Sequence, residues 1–223
     1  QMRGRPAYVA ELHSQSNDVL SFIYEVDSTV RSFIDAETGQ SRLFKRNGKE
    51  GPRQLDDSIE FDYDRKREDG TPEPASVYTK IRKGQSKPNA ARPIPGALQD
   101  SLSIIYYMRH LALDKTGDAH QILIGSRKAT DIATVTVVGF EQLKLSKLGT
   151  FDCVKVEPKG DAEAERANLV MAKGNAIFWL EKNTHIPLMA KVDIDITMVG
   201  SITMSLVNAE QTRLPEHAVA RDE

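Results

Sequence analysis

The 223-residue chain has one cysteine, one tryptophan and only 6% aromatic residues. A single thiol excludes an internal disulfide framework and a cysteine-built zinc site. It leaves the compartment open, because a secreted protein can carry few cysteines. Neither sign of charge dominates: 30 Lys+Arg stand against 32 Asp+Glu, a formal −2, so no global basic excess marks a nucleic-acid partner. The longest uncharged stretch rich in apolar residues runs from Ile196 to Ala209. It is shorter than the roughly 20 residues a membrane-spanning helix needs, and it reads as strand. No signal-peptide apolar core is visible. The chain opens on Gln1 rather than Met, so a removed leader or further N-terminal residues are expected upstream, and the chain itself is expected to be soluble. P-loop, dinucleotide, HExxH and GxSxG patterns are missing as well.

What is present is period-two alternation, which sends successive side chains to opposite faces of a strand. Ile59, Phe61 and Tyr63 alternate with Glu60, Asp62 and Asp64, and Val192, Ile194 and Ile196 with Asp193, Asp195 and Thr197. One wet and one dry face per strand means an antiparallel sheet. Strands are predicted near 7–14, 20–26, 29–35, 41–48, 54–65, 76–83, 120–126, 130–145, 149–157, 167–173, 175–182, 187–198 and 200–208. Turns are expected at Glu37-Thr38-Gly39, Asn47-Gly48 and Val199-Gly200-Ser201, and a bulge at Gly139. Residues 64–76 read as an exposed loop, and 84–97, with three prolines, as a segment unable to hold a regular ladder.

One principal helix is predicted over about 98–111, with Leu98, Leu102, Ile105, Tyr106 and Arg109 on one face, Asp100 in its first turn and Arg109 with His110 in its last. The fold class is mainly β: a curved antiparallel sheet or partly open barrel, a single domain over 1–213 with a polar tail at 214–223. More than a third of residues should be in strands.

The segment from Pro93 to Arg109 (Pro-Ile-Pro-Gly-Ala-Leu-Gln-Asp-Ser-Leu-Ser-Ile-Ile-Tyr-Tyr-Met-Arg) resembles a bacterial envelope family known only as domain-of-unknown-function family 3108. The matching features are a proline-containing lead-in, Asp100-x-Leu102, Tyr106, and Arg109 three residues later. Ser32-Phe33-Ile34-Asp35 with Thr38-Gly39, Phe61-Asp62, Phe151 with Val154 to Pro158, Phe178-Trp179-Leu180, His185-Ile186-Pro187-Leu188 and Gly200-Ser201-Ile202 follow in order, so the likeness spans about residues 4–208. The family's opening Gly-Glu-x-Leu-x-Tyr strand is not found before Gly4, and that strand is expected upstream of Gln1. The resemblance implies a periplasmic or secreted β-rich protein. By fold analogy it suggests a LolA-like half-barrel with a helix near its mouth.

No constellation of residues spells out a reaction, so no enzyme is expected. His13, His110, His120, His185 and His217 lack metal spacing, and neither a metal nor a cofactor is implied. Cys153 between Asp152 and Val154 has no identifiable basic partner and reads as a small buried side chain. Glu60, Asp62 and Asp64, or Asp193 and Asp195, read as solvated sheet faces rather than acid–base pairs. Residues 41–92 hold 13 Lys+Arg and 9 Asp+Glu, a local +4. Runs such as Arg65-Lys66-Arg67 and Arg82-Lys83 suit anionic lipid, polysaccharide or a partner as well as solvated strand ends. Arg109 has two readings, a structural arginine tying the helix to the sheet and a polar group at the mouth of an apolar cleft.

The expected function is non-enzymatic binding of a lipid, a lipidated chain or another hydrophobic ligand. The groove would be lined by Leu102, Tyr106, Arg109, Phe178, Leu180 and Ile194, with Val135, Val137, Val192, Ile202 and Met204 along the concave face. Asp35, Asp100 and Pro187 are expected to be structural. The alternative is a protein-interaction or structural subunit of an envelope assembly. Neither reading involves nucleic acid or a transmembrane segment in this chain.

Overall fold

The computed structural model describes residues 2, 4–16, 25–127, 129–146, 148–160, 176–193 and 201–205. Strands make up 63% of it, well past the expected third. They form two antiparallel sheets rather than one. In the first, β1 (Ala7–Gln15), β2 (Val26–Asp35), β3 (Ser41–Glu50), β4 (Arg53–Asp62), β5 (Ala75–Arg82) and β6 (Gln85–Pro88) lie side by side in chain order, and the short β7 (Arg92–Pro93) pairs with β5. The second holds β8 (Ala119–Gly125), β9 (Thr130–Leu145), β10 (Gly149–Gly160), β11 (Ala176–Glu181), β12 (Pro187–Asp193) and β13 (Ser201–Ser205), again in order. Sequential strands pairing as neighbours is the simplest antiparallel topology. Among the described residues neither sheet closes into a barrel.

The alternation in the sequence does the sorting. Along β4, Leu55, Asp57, Ile59 and Phe61 are buried while Asp56, Ser58 and Glu60 are half-exposed. The first core joins Ala10, Ile34, Phe44, Ile59, Phe61 and Tyr78 to Ile94, Leu98 and Leu102. The second joins Ile122, Ile124, Val135, Val137, Val154, Val156, Phe178 and Leu180 to Ile104 and Met108. A third cluster, around Leu145, Cys153, Trp179 and Leu188, lies on the other face of the second sheet. β8 separates the first two cores: Ile122 and Ile124 belong to one, and Leu123 packs on the other.

The helix is shorter than its predicted span. α1 (Ser103–Tyr107) continues only into a 3-10 turn, Met108–His110. The reason is upstream. Leu98 O accepts the Ser41 N–H, the Gln99 N–H donates to Leu123 O, and Gln99 O accepts the Gly125 N–H. Backbone groups committed sideways cannot make i→i+4 bonds. Asp100 therefore precedes the helix instead of sitting in its first turn. The apolar face is rotated too. Ile104 and Met108 are fully buried, whereas Tyr106 is 44% exposed and Arg109 is exposed.

Other boundaries moved for local reasons. Asn47-Gly48 lies inside β3, and the chain turns at Gly51-Pro52. Gly48, at φ +125°, lets β3 pass against β2, since a Cβ there would meet Asp27 O at 2.2 Å. The proline-rich 84–97 region does hold ladder, as β6 and β7 against β5. β6 ends the sheet, and an edge strand tolerates Pro88 because one row of its N–H groups needs no partner. The segments predicted as 29–35 and the end of 20–26 are one strand, β2. The predicted bulge is found: Val138 is the extra residue opposite the Lys155/Val156 step. The predicted strand 167–173, the turn at Val199-Gly200 and residues beyond Asp193 in the predicted strand 187–198 lie outside the described residues.

Candidate functional site

The segment that carries the family likeness also joins the two sheets. Leu98 bonds to β3 on one side and Gln99 to β8 on the other, so a residue pair continues the ladder from sheet to sheet. Tyr63 seats it: the Leu98 N–H donates to Tyr63 Oη at 3.0 Å, and Tyr63 O–H donates to Ser41 O at 3.1 Å. Burial, eased by the Leu98 bond and by Arg42, leaves the Tyr63 hydroxyl's pKa pushed up to about 12.

Asp100 locks the next step. Its side chain is buried. Oδ1 accepts the N–H groups of Leu102 and Ser103, each at 2.8 Å. Oδ2 accepts the hydroxyl of Ser32 at 2.5 Å and that of Ser41. One carboxylate thus ties β2, β3 and the turn entering α1. Burial raises its pKa above the usual 3.8, and the four hydrogen bonds oppose the rise without cancelling it.

Asp35 closes the neighbouring turn. Its carboxylate accepts the N–H groups of Glu37 and Thr38 at 3.0 and 3.1 Å and pairs with Arg42 at 3.0 Å. Burial pushes its pKa up, but the Thr38, Glu37 and Arg42 hydrogen bonds win, and it lies below the usual 3.8. Arg42 also pairs with Asp64 at 3.2 Å and lies over the Tyr63 ring. The role expected of Arg109, tying helix to sheet, is filled by Asp100.

The proposed groove residues fall into two places. Leu102, 7% exposed, belongs to the first core; Phe178 and Leu180, at 2% and 0%, lie in the second with Val135 and Val137. Tyr106 and Arg109 reach solvent. Pro187 opens β12 opposite Leu180. Ile194 lies outside the described residues. Cys153 is buried in the third cluster, and desolvation raises its thiol pKa. Among the described residues no group of three or more His, Cys, Asp or Glu is placed to hold a metal ion, and no helix is long and apolar enough to cross a membrane.

A second polar cluster lies farther out on the inner face of the first sheet. Arg46 grips Asp57 through two bonds, at 2.9 and 2.8 Å, and Tyr78 O–H donates to Asp57 at 3.1 Å. Arg127, from the loop between β8 and β9, lies over the Tyr78 ring at 5.5 Å.

Sequence reading missed Ser32, Ser41 and Tyr63 as partners of the signature segment. One clue was available: Ser32 takes an inward position between Val30 and Ile34, where a polar residue needs a buried partner.

Fold and site together define a class: a two-sheet antiparallel β protein whose sheets are joined by a buried, aspartate-centred crossover. Within that class, the chain belongs to the family described as "Protein of unknown function (DUF3108)", whose model matches residues 1–207. No curated protein and no solved structure matches the chain.

Proposed function

We propose that the chain is a non-enzymatic binding protein of the bacterial envelope, periplasmic or secreted, and that it works as a protein-interaction subunit. One observation carries this reading. Of the side chains expected to line a groove, Leu102, Val135, Val137, Phe178 and Leu180 pack into two cores, while most of the large apolar groups left in water are on strands: Tyr8 and Val9 on β1, Ile132, Val138 and Phe140 on β9. β1 is also an edge strand, pairing only with β2 among the described residues. Such an edge is a template for a partner's strand. The buried carboxylates Asp100, Asp35 and Asp57 each have structural partners.

A hydrophobic ligand is the second reading, favoured by one row. Phe140 stands in register with Val154, and Val154 with Leu180, so an apolar surface runs from the buried core out to a 42% exposed ring. The two readings separate cleanly. Cross-linking of the native protein in its own envelope, followed by mass spectrometry, should yield a defined protein adduct. The purified chain should not bind a fluorescent hydrophobic probe that a fatty acid or phospholipid displaces. Displaceable probe binding without a protein adduct would transfer the assignment to a lipid carrier.

A further inference from the structure

Register places an unbalanced row of charge on the inner face of the first sheet, beyond its apolar core. Leu12, Val30, Arg46, Asp57, Lys80 and Lys87 follow one another as cross-strand partners from β1 to β6. Arg46 and Asp57 satisfy each other. Lys80 and Lys87 are left directly opposed, with no carboxylate in ion-pair range of either among the described residues. Arg82 follows Lys80 on the same face, and Arg127 reaches across from the other sheet.

Opposed like charges on neighbouring strands, about 5 Å apart, cost stability. On the outer face Arg31 also stands opposite Lys45, but there each cation has a partner: Arg31 pairs with Glu11, Lys45 lies over the Phe33 ring, and Lys49 pairs with Glu25. On the inner face Lys80 and Lys87 thus serve no ion pair within the described fold. The surplus also stands out against the whole chain, whose residues outside 41–92 carry 17 Lys+Arg against 23 Asp+Glu.

We propose that this face, centred on Lys80, Lys87, Arg82 and Arg127, binds an acidic, extended segment of a partner protein. Charge complementarity selects an anion. Spacing selects an extended chain, because Lys80 and Arg82 are two residues apart on one strand, roughly 7 Å, the repeat of alternate side chains on a second strand. A planar bilayer fits less well. The face is overhung by Arg127, and beyond a Debye length of about 8 Å a membrane would meet the acidic remainder of the molecule. The inference rests on the protein-interaction reading and adds the surface and the partner's chemistry.

The test uses the full chain and a labelled peptide of about ten residues alternating Glu and Ser, with a Lys/Ser peptide as control. Fluorescence anisotropy should show binding of the acidic peptide only, weakening about tenfold or more between roughly 0.05 M and 0.5 M salt. The double variant Lys80→Glu/Lys87→Glu should lose about tenfold or more, and the milder Lys80→Ser/Lys87→Ser less. Arg31→Glu/Lys49→Glu, with the same change of net charge, should lose less than about threefold. Equal losses on both faces would overturn the proposal, as would binding to phosphatidylglycerol-containing vesicles without binding to the peptide. The two inferences fail separately. If the envelope cross-link survives in Lys80→Glu/Lys87→Glu, this face is wrong and the interaction reading stands. If the wild type gives no cross-link, the interaction reading itself falls.

Discussion

Asp100 and Asp35 are both buried aspartates, and their surroundings push their acidities in opposite directions. At Asp100 desolvation outweighs four hydrogen bonds and raises the pKa above 3.8. The stability this group contributes is therefore fully present below 3.8 and lost as pH rises through its higher folded value. At Asp35 the Thr38, Glu37 and Arg42 bonds outweigh desolvation and lower the pKa. Its contribution is present above 3.8 and lost as pH falls through the lower folded value. Two neutral variants should then diverge. The stability of wild type relative to Asp100→Asn should grow as pH falls from neutrality toward 3.8. Relative to Asp35→Asn it should shrink below 3.8. Urea unfolding of the three proteins across acid and neutral pH measures both trends. Differences of the same slope would show that the two environments are not opposed. Serine supplies the hydroxyls at Asp100; alternation marks Ser32 as inward-facing, but Ser41, at the start of its strand, is not distinguishable in sequence from a surface serine until the strands are paired.

Among the elements, β8 packs against β4 and the crossover before α1 at Gly125. A Cβ on Gly125 would come within 2.3 Å of the Phe61 ring and 3.1 Å of Leu98. Phe61 is 2% exposed and has nowhere to retreat. Gly125→Ala should cost about 1–3 kcal/mol by overpacking, read from thermal or denaturant unfolding; a neutral result would mean the sheets can slide apart there freely. Leu102→Ala, by contrast, opens a void in the first core and should cost about 2–5 kcal/mol; a loss below about 0.5 kcal/mol would mean that its side chain is not packed. These two positions also mark where sequence reading succeeded and where it stopped. Leu102 was legible as core from its spacing to Ile105. The helix around it was not, because Leu98 and Gln99 have helical neighbours in sequence but give their backbone bonds to strands some 25 and 57 residues away. The strands themselves were legible because alternation is local, as β4 shows. Their division into two sheets was not, since it depends on Gly125 and Tyr63 meeting residues far along the chain. The site followed the same rule: Asp100 was singled out from its motif, while Ser32, Ser41 and Tyr63 are brought to it only by folding.

At the scale of the whole molecule, each sheet has its own core, and few groups belong to both. Ile105 packs against the two clusters, and the hydrogen bonds of Leu98, Gln99 and Asp100 cross between them. Cooperative unfolding of the two sheets thus depends on a narrow junction. The single tryptophan makes this testable. Trp179 lies on β11, far from the junction in the chain, with its indole N–H donated to Glu141 and Lys155 over its ring at 5.2 Å. Its fluorescence reports the second sheet, while far-ultraviolet circular dichroism reports both. In the wild type the two transitions should coincide. Asp100→Ala strands the hydroxyls of Ser32 and Ser41 and the N–H groups of Leu102 and Ser103, at about 1–3 kcal/mol for each buried donor that finds no substitute. All four donors hold the first sheet or the entry to α1, so the loss falls on the junction and the first core. The dichroism transition should broaden and shift to lower denaturant, with the Trp179 transition lagging behind it. If both probes shift together by the same amount, the two cores are coupled by more than the Leu98–Asp100 crossover, and the packing of α1 against both sheets becomes the stronger link.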